Sequence, residues 1–360
     1  MKAIEFYSGV GGFSLGAKRA GFDVTAAFEL DWRHVETYNK NFASASAVVQ
    51  DVSKIDFEKH DFGINLDDID LVLGGPPCQG FSNGGKQIVN DERNNQIIKF
   101  AELIVQIQPS AFVMENVRGI LNKKFRSVVN EFFRILSKEN YTLYDPLLLN
   151  AKDFSVPQDR KRVFFIGIKK KAPKSITVRN INDTKGLKVN VGCALNDILN
   201  VNHEPNTSDI HEVNSSSGSS EYLLRLTRDD DDLITHQKLR PNYLTGFTTT
   251  LHSSTVIERF GNTKPGTAEP ISRYKRLALD GLSPTLRAGT KRGKGQFMAP
   301  RPIHPIHNRC ITTREAARLH SFPDWFQFYP TKWYGMMQIG NSVPPNLAES
   351  VSSEIYKIIS

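Results

Sequence analysis

EFYSGVGGFSLG, residues 5–16, reads as the end of a β-strand, a turn carrying Gly9, Gly11 and Gly12, and the start of a helix. Glycines there let the backbone approach a ligand with no side chain in the way. Glu29 follows Gly9 by 20 residues, at the end of the next β-rich run, where a carboxylate can hold both hydroxyls of a ribose. Asp51 ends the third run similarly. Taken singly, each has a plain structural alternative: a tight turn for the glycines, a surface cap for the acids. Together they favour an adenosine-containing cofactor. Ser14 stands where a dinucleotide fingerprint has its third glycine, which argues against NAD and for a nucleoside without a pyrophosphate.

The runs around this turn set the fold class. Strands are expected at KAIEFY, DVTAAFE, AVVQD, DLVLGG, SAFVMEN and TLYDPLLL, with RVFFIGI closing the domain; helical spacing falls at residues 13–20, 33–41, 96–108 and 125–140. This alternation is the pattern of an α/β protein, a parallel sheet covered by helices. From about Lys169 the texture turns to KKKAPK, an Asn- and Ser-rich stretch, RDDDDL and scattered Gly and Pro, which implies a loop-rich second region. The terminal NLAESVSSEIYKIIS regains helical spacing and is expected to pack back on the first domain.

The chain has 360 residues, 39% of them hydrophobic, enough for a sizeable core and two domains. Its net charge of +8 suits a polyanionic partner, nucleic acid above all. Nine Lys or Arg against the single acid Asp280 fall between Arg273 and Arg309, around the Gly-rich RAGTKRGKGQF. That segment fits a loop contacting a phosphate backbone, or a solvated basic loop. No apolar run approaches the roughly 20 residues of a spanning helix, and the N-terminus is no signal peptide, so the expected location is cytoplasmic. Cys78, Cys193 and Cys310 lie more than 100 residues apart, forming neither a disulfide framework nor a metal cluster.

Cys78, in GGPPCQGFS, follows a strand and so stands at the sheet edge where open α/β folds place ligands. It reads either as an inert buried cysteine or as a nucleophile. Only roughly 3% of a free thiol is ionised at pH 7, so the second reading needs cationic or hydrogen-bonding support. Glu115 and Asn116, in VMENV, end the next strand on the same edge, and a carboxyl there can exchange a proton with a ring nitrogen. Gln158, Arg160 and Arg162, in PQDRKR, offer further polar groups; the two arginines share one face of an extended segment, to bind a carbonyl and a phosphate or to pair with surface acids.

In order and spacing, Tyr7-Ser-Gly-Val-Gly-Gly12, Pro76-Pro-Cys-Gln79, Glu115-Asn-Val117, Gln158-x-Arg-x-Arg162 and Gln338-x-Gly-Asn-Ser-Val343 resemble the DNA cytosine-5 methyltransferases. The resemblance implies a Rossmann-like S-adenosylmethionine-dependent fold with residues 1–169 and 331–360 in the catalytic domain and a target recognition domain at 170–330. It implies that Cys78 attacks C6 of a flipped cytosine, that Glu115 contacts N3 and the amino group, and that Arg162 meets the carbonyl while Arg160 and Gln158 organise the site. For the cofactor it implies Tyr7, the glycine turn, Glu29, Leu30, Asp51, Val52, Pro76, Asn341 and Ser342. Arg314 and Glu315 match a helix of structural role. Tyr7 stands where the family usually has Phe, and Leu30 where some members have Trp.

The expectation is therefore a sequence-specific DNA methyltransferase of bacterial or phage type. It would be a monomer acting on double-stranded DNA without metal, nucleoid-associated when bound, alongside a cognate restriction endonuclease. The alternatives are a tRNA cytosine methyltransferase and a catalytically silent DNA-binding relative. The long basic segment favours a duplex reader, and the intact Cys78, Glu115 and Arg162 favour catalysis.

Overall fold

The computed structural model describes residues 1–43, 46–77, 95–169, 175–181, 188–201, 209–212, 220–227, 243–289 and 301–360. By packing, the chain divides into two compact units, Met1–Asn150 with Lys161–Lys185 and Leu347–Ser360, and Ala151–Arg160 with Gly186–Asn346. Residues 331–346, grouped with the first domain in the sequence reading, thus pack in the second unit.

The first unit is built on β1 (Lys2–Phe6), β2 (Asp23–Glu29), β3 (Ser46–Val49), β4 (Ile69–Gly74), β5 (Ala111–Val117), β6 (Tyr141–Leu143) and β7 (Leu147–Asn150). After the short β8 (Gln158–Asp159) of the second unit, β9 (Lys161–Lys169) completes the sheet. Strand order is β3-β2-β1-β4-β5-β9-β6, with β7 also on β9. The five strands from β3 to β5 are parallel, as expected; β9 runs antiparallel to β5, so the sheet is mixed. TLYDPLLL, expected as one strand, is broken. Leu143 pairs with Gly167 but Leu147 with Phe164, a one-residue slip across Asp145-Pro146. Pro146 has no N–H for the ladder, and a bulge is the usual accommodation.

Helices α1 (Gly12–Arg19), α2 (Trp32–Asn41), α3 (Asn95–Ile107) and α4 (Arg126–Leu136) fall within a residue or two of the expected starts, although α4 stops before Asn140. Phe6, Phe28, Phe100, Phe112, Phe132 and Phe165 form the centre of the core. The last helix, Pro345–Ile359, joins this unit from Leu347 onward, as its spacing implied. Gly16 of α1 makes that possible: a Cβ there would fall 2.4 Å from Ala348 Cβ and from the Glu349 nitrogen.

The second unit has another character. Among the described residues, none of its strands exceeds two residues. Its described helices run from Val191–Leu195, five residues, to Lys332–Asn341, ten residues, and the helix Thr313–Arg318 carries a full capping box between Thr312 and Glu315.

Candidate active site

The glycine turn begins one residue past β1. Tyr7 itself has φ 57°, a left-handed conformation that costs a side-chain-bearing residue roughly 1–2 kcal/mol. Its hydroxyl donates to Gln96 Oε1 at 2.9 Å, anchoring the strained residue to α3. Gly9 (φ 54°) and Gly11 (φ 88°) continue the turn. A Cβ at Gly9 would meet no atom within 4 Å, so the backbone there opens onto free space, whereas at Gly11 it would strike Phe42 and Tyr38. The two glycines serve different needs: one faces space a ligand can fill, and the other is required for packing.

Glu29 stands beside the turn. Its Oε2 accepts from the Gly9 N–H at 2.9 Å and its Oε1 from the Asp31 N–H at 2.9 Å, with His34 Nδ1 3.7 Å away. Burial pushes this carboxyl upward, but His34 and the two N–H groups outweigh it and hold Glu29 below the ordinary carboxylate range. An ionised carboxylate has about four acceptor positions, so two remain for ribose hydroxyls. Leu30 and Trp32 are 66% and 50% exposed next to it, an apolar surface of the kind a purine covers. Trp32 has no place in the sequence-derived set. Asp51 caps the turn Val52–Lys54, accepting from Ser53 N at 3.0 Å and Ser53 Oγ at 2.7 Å, while Val52 packs into the core.

Beneath the turn lies Glu5, which the sequence reading also passed over. Gly11 cannot cap α1 with a side chain. Glu5 does so from β1, accepting from Ser14 N at 3.0 Å and from Ser14 Oγ, which in turn accepts from Tyr38 O–H at 2.9 Å. Burial pushes Glu5 up to about 8. The available signal was a lone acid inside the apolar strand Ala-Ile-Glu-Phe. Ser14, the residue that spoils the dinucleotide pattern, is the partner that makes this cap possible.

At the far end of β5, Glu115 Oε1 pairs with Arg162 Nε at 2.8 Å, both side chains being 12% exposed. The register Val117↔Arg162 between β5 and β9 brings them together. A Cβ on Gly75 would lie 3.6 Å from Glu115 Oε2, and Asn116 Nδ2 donates to Pro76 O at 3.2 Å, so both motif residues face the end of β4. The glutamate, the arginine and the Pro-Pro segment therefore share one sheet edge. Cys78 itself lies outside the described residues.

Gln158 and Arg160, proposed from sequence as catalytic, belong to the second unit and are 0% and 1% exposed. Arg160 donates to the carbonyls of Leu286, Gly340 and Ser342; Gln158 donates to Leu319 O and accepts from Leu286 N. These side chains hold main chain within that unit. Asn341 and Ser342 also lie in the second unit, Asn341 exposed and Ser342 buried. Glu315 is structural, as expected: it is fully buried, grips Arg309 at 2.8 and 3.0 Å, and caps its own helix. Arg314 is likewise buried against carbonyls of Thr245, Pro323 and Phe326. Of the basic segment, Lys291, Arg292 and Lys294 lie outside the described residues.

A glycine turn held by the Glu29 carboxylate, on the same sheet as a Glu–Arg pair, has a known counterpart. The family model for C-5 cytosine-specific DNA methylase matches residues 1–357. The chain belongs to that family. This methylase is 39% identical over 363 residues to the type II methyltransferase M.XorII of Xanthomonas oryzae pv. oryzae, covering 99% of this chain and 84% of the relative. Among solved structures it matches a protein described as a DNA modification methyltransferase encoded within a prophage (E. coli), with TM-score 0.83, 36% identity and 99% of each chain covered. It shares its fold, at 18% identity and TM-score 0.64, with the Dnmt2 methyltransferase of S. pombe. The methylase is thus a DNA cytosine-5 methyltransferase with the Rossmann-like fold of such enzymes. No described helix is long and apolar enough to cross a membrane, and no described cluster of His, Cys, Asp or Glu could hold a metal.

Proposed function

We propose that this methylase uses S-adenosylmethionine to methylate a cytosine flipped out of double-stranded DNA at a specific sequence, the protective half of a restriction system with a cognate endonuclease. The observation that carries the catalytic reading is the Glu115–Arg162 pair, turned toward the end of the strand that leads to Cys78.

The residues of the turn fit the cofactor: open space at Gly9, an ionised Glu29 with spare acceptors, and exposed Leu30 and Trp32. Tyr7, Gly9, Gly11, Gly12, Glu29, Leu30, Asp51, Val52 and Pro76 would hold it, with Asn341 and Ser342 assigned by family pattern alone. S-adenosylmethionine supplies an electrophilic methyl group on a sulfonium.

Cys78 thiolate would attack C6 of the cytosine, the electron pair of the C5–C6 double bond moving so that C5 becomes nucleophilic. Glu115 would hold a proton at N3 and accept from the 4-amino group, and Arg162 would donate to the ring carbonyl as negative charge gathers there. After C5 gains its methyl, loss of the C5 proton restores the C5–C6 double bond and expels the Cys78 thiolate. Flipping the base costs a few kcal/mol, which protein contacts to the pocket and strand must offset.

The test is transfer of a labelled methyl group to DNA, followed by methylation-sensitive sequencing of DNA from a host expressing the protein. The expected result is one consistent motif around the modified cytosines. Cys78→Ser should abolish transfer, and Glu115→Gln should lower the rate by about 10²–10⁴. Methylation of tRNA but not of DNA, or full activity in Cys78→Ser, would overturn the proposal.

A further inference from the structure

The buried His320 joins the groups that hold the segment Gly340–Ser342. Its Nε2 lies 3.0 Å from Ser342 O, and a carbonyl can only accept, so Nε2 carries hydrogen. Its Nδ1 lies 2.9 Å from Gln158 Nε2. The orientation of that amide is fixed independently: Leu286 N–H donates to Oε1 at 3.1 Å, and Nε2 donates to Leu319 O at 3.1 Å. Gln158 therefore presents N–H to the ring, and Nδ1 must accept. Both nitrogens are assigned by their partners, and the ring is neutral.

The relay converges on a short piece of main chain. Ser342 O accepts from both His320 Nε2 and Arg160 Nη2, the latter at 2.9 Å, which uses both of its lone pairs. Gly340 O accepts from Arg160 at 2.8 Å, and a Cβ on Gly340 would come within 2.4 Å of the backbone at Arg287 and Ala288. Gly340 and Ser342 are buried and clamped, and Asn341 between them is exposed. Such an arrangement fixes the direction in which one polar side chain is offered.

We propose that His320 is a positioning residue for methyl transfer: as its Nε2–H tautomer, set by Gln158, it holds Ser342 O and with it the turn that presents Asn341. The inference rests on the reading of Asn341 and Ser342 as cofactor residues.

The experiment uses the full chain with DNA and S-adenosylmethionine, comparing Asn341→Ala, His320→Asn and His320→Gln, each checked by thermal melting. An asparagine keeps an acceptor near Nδ1 and loses the donor to Ser342; a glutamine places a donor near Nε2. Asn341→Ala should raise KM for S-adenosylmethionine about tenfold, the loss of one good polar contact. His320→Asn should raise it several-fold with KM for DNA unchanged, and His320→Gln should restore most of the loss. If Asn341→Ala is normal, the cofactor reading of that residue fails and this inference with it. If Asn341→Ala is impaired but His320→Asn is normal, or glutamine rescues no better than asparagine, only the His320 inference fails. Should the variants not fold, ¹⁵N NMR of the wild-type histidine rings decides: a ring at His320 protonated at Nδ1 would overturn the proposal.

Discussion

The two units satisfy their buried polar groups by different means. In the first, strands and helices pair the backbone with itself, and the interior is left to aromatic rings such as Phe6, Phe28, Phe100 and Phe112. In the second, described strands are two residues long and much of the backbone has no ladder to join. Arginine takes over. Arg160 reaches three carbonyls, Arg276 those of Phe260, Pro305 and Ile306, and Arg314 those of Thr245, Pro323 and Phe326. A guanidinium has five donors in a fixed plane, so one side chain can tie together segments distant in sequence. The cost is desolvation: burial pushes Arg314 down to about 10. Where ladders are short, guanidinium groups supply the donors that buried carbonyls need.

The sharpest way to break this comparison is Arg318. Its guanidinium is 0% exposed and bonds Asp324 at 2.7 and 2.9 Å and Asp197 at 2.5 and 3.1 Å. Arg318→Met would strip both buried carboxylates of their bonds to Arg318, with Asp324 still 3.7 Å from Arg314 Nη1, and loss of one partner of a buried pair costs about 3–5 kcal/mol. A denaturant titration should show the midpoint falling accordingly. Lys2→Met, which removes an exposed pair with Asp68, should leave the midpoint where it was. Equal effects would mean that buried arginines are not what holds the second unit.

The same difference decides what could be read from sequence. Period-2 and period-3.6 patterns report neighbours close in the chain, so β1 to β5 and α1 to α4 were legible, as was the glycine turn with Glu29. TLYDPLLL misled because its apolar pattern continues through Pro146, whose missing N–H matters only once β9 lies alongside. Gln158 and Arg160 look catalytic in sequence because they are polar and beside Arg162. Their partners at Leu286, Leu319, Gly340 and Ser342 are more than 120 residues away, and no local pattern encodes such a contact. Glu5 and His320 bond main chain directly, at Ser14 N nine residues away and Ser342 O twenty-two away, and neither separation follows a strand or helix period.

Where regular structure does the work, close packing is the vulnerable point. Gly16→Val should test this, because the added side chain meets Ala348 Cβ and the Glu349 nitrogen at distances no side chain tolerates, and backbone cannot rotate aside. Overpacking of this kind costs about 1–3 kcal/mol, less than the expected loss at Arg318. The measurement is again the denaturant midpoint. A Gly16→Val protein as stable as the parent would show that the last helix is not seated against α1.

Per unit of pH, a smaller effect than either substitution separates the two units. In the first unit Glu5 is pushed from 4.5 up to about 8, chiefly by burial. A carboxyl raised in the folded state contributes stability that is complete below its unfolded value, here 4.5, and is lost as pH climbs toward 8. In the second unit burial pushes His304 from 6.5 down to about 4, against the opposing pull of Glu315. That contribution is present above 6.5 and is lost as pH falls toward 4. Each limb has a slope of at most about 1.4 kcal/mol per pH unit. Glu5→Gln removes the charge while keeping an acceptor for Ser14, so it should flatten only the alkaline limb, its advantage over the parent growing between pH 5 and 8. Parallel curves for parent and variant would mean that Glu5 titrates in the folded protein as it does in the unfolded chain, and that the carboxyl beneath the glycine turn is ionised throughout that window.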